Sequence, residues 1–334
     1  MGHSNTSLNC FANCMKRYEL AYILGVKPEK EVSPHLTFGV MAHETLCNAG
    51  KLRDDSRDGV VSDDDYYSVI PSEVLFNDLK EEFKIKSWEQ YFKPVIKKTA
   101  EYEKQMVEET IAEFGPVQIE REVKLSINPD ELKNCGYNGI TQPVVGIIDL
   151  LIYNEKCAVI LDYKFSSHNK TQDDFDMNSQ LPLYAYLVHY RYGVPLNNIR
   201  YGYIDIPKTQ SDRPIKLSNG TLSRAKSQNV TQEEYEKAVK ELHGDDAYYN
   251  CKEGGYYYDC WCNMANNKPA YLSVQYLDMD TYKGILKDLF DAAATIDYFV
   301  EHKMKFVKKY DSYSCKGCEY LHTCKPWLTV EGGE

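Results

Sequence analysis

No run of eighteen apolar residues occurs in the 334-residue chain, so no membrane-spanning helix is expected. The opening residues, MGHSNTSLNCFANC, lack a basic stretch followed by a long apolar one, so no secretory signal is expected. A cytoplasmic location follows by default. No GxxxxGK(S/T) loop is present, so no P-loop nucleotide-binding motif is expected. Positive charge is also short: the formal net charge is −11, which argues against a uniformly basic nucleic-acid binder but not against a local basic groove. Tyrosine is plentiful at 28, enough for some side chains to stack on bases while most pack between core and surface. The eleven cysteines of a cytoplasmic chain read as reduced, metal-bound or buried rather than disulfide-bonded.

The stretch from Val144 to Tyr184 organises the rest. Residues 144–153 and 157–165 are apolar runs rich in Val, Ile, Leu and Tyr around the polar break Asn154-Glu155-Lys156, the pattern of a β-hairpin. Facing residues of an antiparallel hairpin keep a constant index sum. A turn centred between Glu155 and Lys156 therefore sets Asp149 opposite Asp162, roughly 5 Å apart at Cβ. Lys164, two residues on, shares the Asp162 face. Two acids facing each other in greasy strands destabilise a hairpin unless something compensates them. A divalent cation would do so, since Mg2+ is commonly held by one or two carboxylates with water and phosphate. A plain Asp–Lys ion pair is the other reading.

Along the chain, residues 7–24 suit a helix capped by Ser7, with Cys10 and Cys14 on one face. Residues 36–50 suit a helix closed by Gly50, with His43 in otherwise apolar surroundings, either a core histidine or a ligand. Residues 51–68 are charged and loop-like, Asp63-Asp64-Asp65 being a solvated tip. From Pro71 to Phe114 the period is helical, with Trp88, Tyr91, Phe92, Ile96 and Met106 on an apolar stripe, and Pro94 is expected to split it. Residues 117–128 alternate as a strand with Val117, Ile119, Arg121, Val123, Leu125 and Ile127 on one face; Glu120 and Glu122, opposite, read more simply as solvent-facing than as metal-directed. A helix near 178–192, ended by Gly193, tolerates Pro182 in its first turn. Residues 198–206 and 270–277 read as strands. The order is that of an α/β fold with a mixed sheet.

Residues 207–229 hold Lys208, Arg213, Lys216, Arg224 and Lys226, either phosphate contacts or an ordinary loop. Thr231 and Glu234 make a TxxE start for a helix over 231–245. Residues 280–310 read as one long helix ending in the basic HKMKFVKKY, suited to its C-terminal dipole and to DNA contact. His243, Cys251, Cys260 and Cys262 have no familiar zinc spacing, and Cys47, Cys135 and Cys157 are isolated packing residues. Cys315, Cys318 and Cys324 crowd the C-terminal end. Three thiolates do not close a tetrahedral site, so either His322 or a distant cysteine must complete it.

Asp149, Asp162-Tyr163-Lys164 and Gln180-x-x-x-Tyr184 resemble the motifs of the RecB-like PD-(D/E)XK nucleases. Gly146-Ile147-Ile148-Asp149 is similar to that branch's GxxD motif. Gly39-x-x-x-His43-x-x-Leu46 is similar to its first motif, and Gln180 and Tyr184 share one helix face as its QxxxY pair does. The spacing of Cys315, Cys318 and Cys324 resembles the C-terminal triad of the iron–sulfur members, among them the AddB subunit and CRISPR-associated exonucleases. There an N-terminal cysteine is the fourth ligand. Cys14-Met15-Lys16-Arg17-Tyr18 matches that stretch better than Cys10, although Met15 replaces the usual proline.

The resemblance implies a restriction-endonuclease-like mixed sheet flanked by helices, with the terminal segments joined by a 4Fe-4S cluster on Cys14, Cys315, Cys318 and Cys324. It implies a single nuclease domain over 1–334: N-terminal helices in 1–50, a helical insertion at 55–115, a catalytic core at 117–206, a basic and helical region at 207–310, and a cluster segment at 311–334. Mg2+ or Mn2+ would be held by His43, Asp149, Asp162 and the Tyr163 main-chain carbonyl, the imidazole favouring Mn2+. Lys164 would position the nucleophile or stabilise transition-state charge, with Gln180 and Tyr184 orienting it or the DNA. The implied activity is phosphodiester hydrolysis, as an exonuclease on single-stranded DNA ends in recombination, repair or CRISPR-type processing, similar to phage-type exonucleases. Recombination or CRISPR partner proteins, or a helicase, would accompany it. A catalytically weak nucleic-acid-binding module is the alternative.

Overall fold

The computed structural model describes residues 2–29, 33–56, 62–166, 171–209, 214–225, 228, 230–244, 250–252 and 254–325. Arg213 and Lys226 of the basic loop lie outside these. Six strands form one sheet: β1 (His3–Ser4), β2 (Gln118–Ile127), β3 (Val144–Tyr153), β4 (Ala158–Ser166), β5 (Ile199–Pro207) and β6 (Tyr271–Tyr276). The order is β1-β3-β4-β5-β6, with β2 also paired to β3. β2–β3, β3–β4 and β5–β6 are antiparallel; β1–β3 and β4–β5 are parallel. The long β4–β5 connection contains a helix, which is what a parallel pair requires.

The main helices are α1 (Asn5–Asn13), α2 (Pro34–Asp55), α3 (Trp88–Phe114), α4 (Gln180–Tyr192), α5 (Gln232–His243), α6 (Tyr258–Met264) and α7 (Met279–Glu301). Helices α1, α4 and α7 cover one face of the sheet, burying Leu8, Leu187 and Phe290 against Ile148, Ile160 and Tyr203. Helices α2 and α3 cover the other, burying Phe38 and Phe92 against Leu150, Leu161 and Ile204. The result is a mixed α/β fold with a helix layer on each face, as the residue pattern implies. Helices α5 and α6 bury a small core of their own around Tyr235 and Tyr257.

Several local expectations need correction. The first helix starts at Asn5, capped by Ser4 in a reciprocal box with Ser7, and breaks at Cys14 before a short turn over Met15–Tyr18. Helix α2 runs on through Gly50 to Asp55. Pro94 sits inside an unbroken α3. An internal proline costs about 3 kcal/mol, and burial of Trp88, Tyr91, Phe92, Val95 and Ile96 on both sides of it outweighs that loss. Helix α7 stops at Glu301, so the basic HKMKFVKKY lies beyond it.

Strand β2 does not keep one face throughout. Glu122 has φ +51° and drops out of the ladder between Arg121↔Leu150 and Val123↔Ile148. Val123, Leu125 and Ile127 therefore pack under α4, while Arg121 turns to the α2–α3 side. β3 switches face at the partner position, Asp149: Ile148 joins the α4 core and Leu150 the α2–α3 core.

β1 matters to the site because it occupies part of the β3 edge. His3 and Ser4 pair with Val144 and Val145 there. The strand is pinned by His3 Nε2, 3.0 Å from Asp297 Oδ1 of α7, and Asp297 Oδ2 accepts the Thr141 and Gln142 amides at 2.6 and 3.2 Å. Burial opposes ionisation of Asp297, but these donors hold its carboxyl below the usual range. A depressed carboxyl stabilises the fold above its unfolded pKa and loses that contribution as pH falls through the folded value. Asp297→Asn is expected to cost about 2 kcal/mol near neutral pH. Urea unfolding should show that gap closing only as pH falls below the depressed folded value, where the wild-type carboxyl is itself neutral.

Candidate active site

The site is built where β3 and β4 part. Their ladder runs from Tyr153↔Ala158 to Leu150↔Leu161, the index sum expected from the turn. It ends one pair short of Asp149 and Asp162, so these two are not ladder partners. Instead the Asp149 side chain takes over the work of a strand carbonyl: its Oδ2 accepts the Tyr163 N–H at 2.8 Å. Across the gap the Tyr184 hydroxyl of α4 lies on the Ile147 side. The parted edge of β4 thus keeps the Tyr163 amide satisfied through a side chain.

Gly146 permits this. A Cβ there would stand 2.7 Å from Leu187 Cδ1 and 2.9 Å from Tyr184 Cε1. Only glycine lets the Tyr184 ring lie directly on β3. Gln180, one turn earlier on α4, donates from Nε2 to the Tyr184 hydroxyl at 2.7 Å and to Asp162 Oδ1 at 3.0 Å. Its Oε1 accepts from Lys164 Nζ at 3.0 Å. Lys164 Nζ is also 2.6 Å from Asp162 Oδ2. That contact is an ion pair outside hydrogen-bond geometry, so the buried Oδ2 has charge beside it and no donor aimed at it.

From the opposite face α2 delivers His43, whose Nδ1 is 3.3 Å from Asp149 Oδ2. Its ring meets Tyr163 and Phe165 edge-on, with centroids 6.1 and 5.4 Å away. The structure therefore brings together His43, Asp149, Asp162, Tyr163, Lys164, Gln180 and Tyr184. Burial pushes the Asp162 carboxyl up to about 6 against the pull of Lys164, and Asp149 adds to the rise. Burial would lower the His43 imidazole, but its bond to Asp149 and that carboxylate's charge hold it above its ordinary value. Both groups therefore hold protons more readily than usual.

Two carboxylates, an imidazole and a strand carbonyl are hard-oxygen and nitrogen donors suited to Mg2+ or Mn2+. Asp162 Oδ2 is buried, with the Lys164 ammonium 2.6 Å away and no other donor on it. Among the described residues no three His, Cys, Asp or Glu side chains form a closed cage. An ion here would depend on main-chain, water or phosphate oxygens as well. The two β2 glutamates stay away from it: Glu122 pairs with Lys51 and Glu120 accepts from the Tyr153 hydroxyl.

A support that the residue pattern did not reveal lies behind Tyr163. Its side chain crosses to the α2–α3 face, where the hydroxyl donates to Glu103 Oε1 at 2.7 Å. Glu103 Oε2 is bonded by Arg53 at 2.6 Å and Arg121 at 2.7 Å, and Arg121 also holds Asp54 at 2.6 Å. Burial alone would raise the Glu103 carboxyl, yet the two guanidiniums keep it below the usual value. The available signal was a glutamate among the buried positions Thr99, Met106 and Thr110 of an otherwise apolar stripe.

Cys14 acts electrostatically on Cys10, Cys318 and Cys324, and Cys318 acts on Cys10. Burial raises the thiols of Cys318 and Cys324 and pushes Cys10 up to about 11. Lys325 Nζ bonds Cys315 Sγ at 3.2 Å. Arg17 Nη2 bonds Glu319 at 2.8 Å, and Glu29 Oε2 accepts the His322 amide at 3.0 Å. In the other group, His243 Nε2 bonds the Tyr257 hydroxyl at 3.2 Å and Cys260 Sγ reaches the Arg224 carbonyl at 3.2 Å. Cys251 and Cys260 are buried in the small α5–α6 core, a packing role.

Glu103→Gln would leave two buried guanidiniums short of a countercharge. It should cost about 3 kcal/mol by denaturant unfolding. Gly146→Ala overpacks the Tyr184 contact and should cost about 1–3 kcal/mol in the same measurement.

No curated protein sequence matches the chain. Among solved structures it is similar to a protein from Eubacterium rectale named "Putative exonuclease", at 11% identity and a TM-score of 0.42, over 99% of this chain and 94% of that one. It is also similar to SSO0001, at 10% identity and a TM-score of 0.26, over 85% of this chain and 84% of that one. The model of the PD-(D/E)XK nuclease superfamily matches residues 3–325, which takes in the parted strands, both helices that serve them and the cysteine-bearing ends. The chain belongs to the PD-(D/E)XK nuclease superfamily.

Proposed function

We propose that this nuclease is a divalent-metal-dependent DNA exonuclease of the RecB-like branch that acts on single-stranded ends. The observation that carries the reading is the convergence of Asp149, Asp162 and Lys164 in the β3–β4 gap, with Gln180 bridging acid and lysine. His43, Asp149, Asp162 and the Tyr163 carbonyl would hold Mg2+ or Mn2+. Once bound, such an ion lowers the pKa of water and neutralises charge on the scissile phosphate.

The protein's own groups do the rest. Lys164 is tethered by Gln180, so its ammonium is pre-aimed at the space beside Asp162, where it can stabilise charge building on the phosphoryl oxygens. Tyr184 fixes Gln180 through its hydroxyl. Tyr163, anchored through Glu103, fixes the strand amide that holds Asp149. Recombination, repair or CRISPR-type DNA processing is the setting that the likeness of motifs suggests, with helicase or other protein partners supplied separately. Lys164→Ala should lower cleavage of end-labelled single-stranded DNA by about 10²–10³-fold while leaving binding in EDTA in place. Cleavage by the wild type that is unaffected by EDTA, or absent with either metal, would sink the reading in favour of a binding module.

Metal binding must displace protons from Asp162 and His43. The thermal shift produced by Mn2+ should therefore be larger near pH 8 than near pH 5, since Asp162 keeps its proton below about 6. An equal shift at both values would remove these groups from the ligand set.

We also propose a 4Fe-4S cluster on Cys14, Cys315, Cys318 and Cys324. The spacing of Cys315, Cys318 and Cys324 supports it, as does the soft, all-thiolate donor set. Protein purified without oxygen should contain about four irons per chain and be brown. Cys14→Ser should lose most of that iron and Cys10→Ser should retain it.

A further inference from the structure

We propose that the strip running from Lys303 to Tyr313 is a docking surface for single-stranded DNA. The proposal deepens the nuclease reading and rests on it. In a chain of net charge −11, residues 302–310 carry four lysines and no acid. Residues 302–311 are not helical. Helix α7 ends at Glu301, and Lys303 turns the chain away with φ +51°, a left-handed conformation in which glycine is the usual occupant of a helix end. The turn is closed by the Met304 amide on the Phe299 carbonyl at 2.8 Å.

Beyond it the strip has a fixed back and an open front. Phe306 is 4% exposed and packs on Phe11, Tyr18 and Phe299 with centroids 6.3, 6.2 and 5.5 Å away. Lys308 turns back to the Cys324 carbonyl. Lys303, Lys305, Val307 and Lys309 face out, Lys309 sharing Asp311 at 3.6 Å. Tyr310 is 76% exposed and Tyr313 92%, and Lys325 Nζ lies over one face of the Tyr310 ring, 4.8 Å from its centroid, leaving the other face open.

Cations beside open aromatic rings, on a backbone held from behind, suit a ligand that offers both phosphates and bare base faces. Single-stranded nucleic acid offers both. A duplex hides its base faces and would use the lysines alone. The strip also lies close to the chemistry. Phe306 rests on Phe11 of α1, and Asn5 and Asn9 of that helix share bonds of 2.7 and 3.1 Å with Ser179, the residue before Gln180. A strand lying along the strip is one short helix from the catalytic lysine's tether.

The test is fluorescence anisotropy of a labelled oligothymidylate of about twenty nucleotides, and of a duplex of that length, in EDTA. Lys303→Gly/Lys305→Ser/Lys309→Ser should weaken oligothymidylate binding at least tenfold and flatten its salt slope by about two. Glycine at 303 relaxes the left-handed turn, so thermal stability should hold or rise. Tyr310→Ser/Tyr313→Ser should weaken oligothymidylate about tenfold and leave duplex binding unchanged. Hydrolysis of thymidine 5′-(p-nitrophenyl phosphate), too short to reach the strip, should match the wild type in both variants. Variants that bind oligothymidylate as the wild type does would overturn the proposal and leave the nuclease reading standing. A wild type that binds no DNA would overturn it too. Binding that is lost in the variants of a protein that never cleaves would uphold the strip and overturn the nuclease reading.

Discussion

Everything at the centre of this molecule depends on two strands ceasing to pair. Beyond Leu150 and Leu161 the β3–β4 ladder stops, and the peptide groups that would have bonded each other need other partners. A buried amide left alone costs about 1–3 kcal/mol. Here a partner is a functional group: Asp149 takes the Tyr163 amide. A residue that would hold a metal ion therefore also helps to keep the gap open. This double duty explains why a site with two carboxylates can be held in an apolar sheet without a preformed metal cage.

The gap also solves a problem of access. A continuous sheet separates its two faces, so helices on opposite sides cannot reach one side chain. Where β3 switches face at Asp149, His43 arrives from α2 and Gln180 from α4, and both act on the same carboxylate pair. The switch has a cause in β2, where Glu122 leaves the ladder in a left-handed conformation opposite Asp149. Such a conformation costs on the order of 1 kcal/mol or more. It is held by the pairs on either side and by Arg121, which turns to the far face to meet Glu103 and Asp54.

These features differ in how far the residues alone disclose them. The hairpin, its turn and the α4 helix follow from β-branched runs and from Gly193, and all form as expected. The index sum of the hairpin was also legible, because it depends only on where the turn lies. What the pattern could not disclose is where pairing stops, since that is decided by side chains competing for backbone amides across a distance in sequence. The face switch in β2 was hidden for a similar reason: perfect alternation in sequence predicts one face, and a single positive φ defeats it. Pro94 misled in the other direction, as a local helix penalty was outweighed by buried aromatic contacts that no local rule counts. Glu103 was visible only as an oddity, a charge among buried positions, with nothing local to say that Tyr163 lay beyond it.

The ends of the chain connect to the same centre. β1 pairs with β3 at Val144 and Val145, on the stretch of the strand just before the gap, while α1 steadies Ser179 at the start of α4. The following residues, from Cys14 to Glu29, are tied to the C-terminal segment by Arg17–Glu319 and by Glu29 with the His322 amide. Those ties are exposed, and exposed ion pairs are each worth about 1 kcal/mol or less. The Glu29 amide also donates to the Glu319 carbonyl at 2.9 Å, and Tyr320 is buried, so the segment is held by bonds and packing as well. Thiolate ligation between Cys14 and the last three cysteines would replace weak ties with strong ones. It would close a loop of about 300 residues, where loop-closure entropy gives a crosslink its largest effect. A cluster on these four cysteines would therefore act on the gap, through β1 and α1, and not at the reacting phosphate.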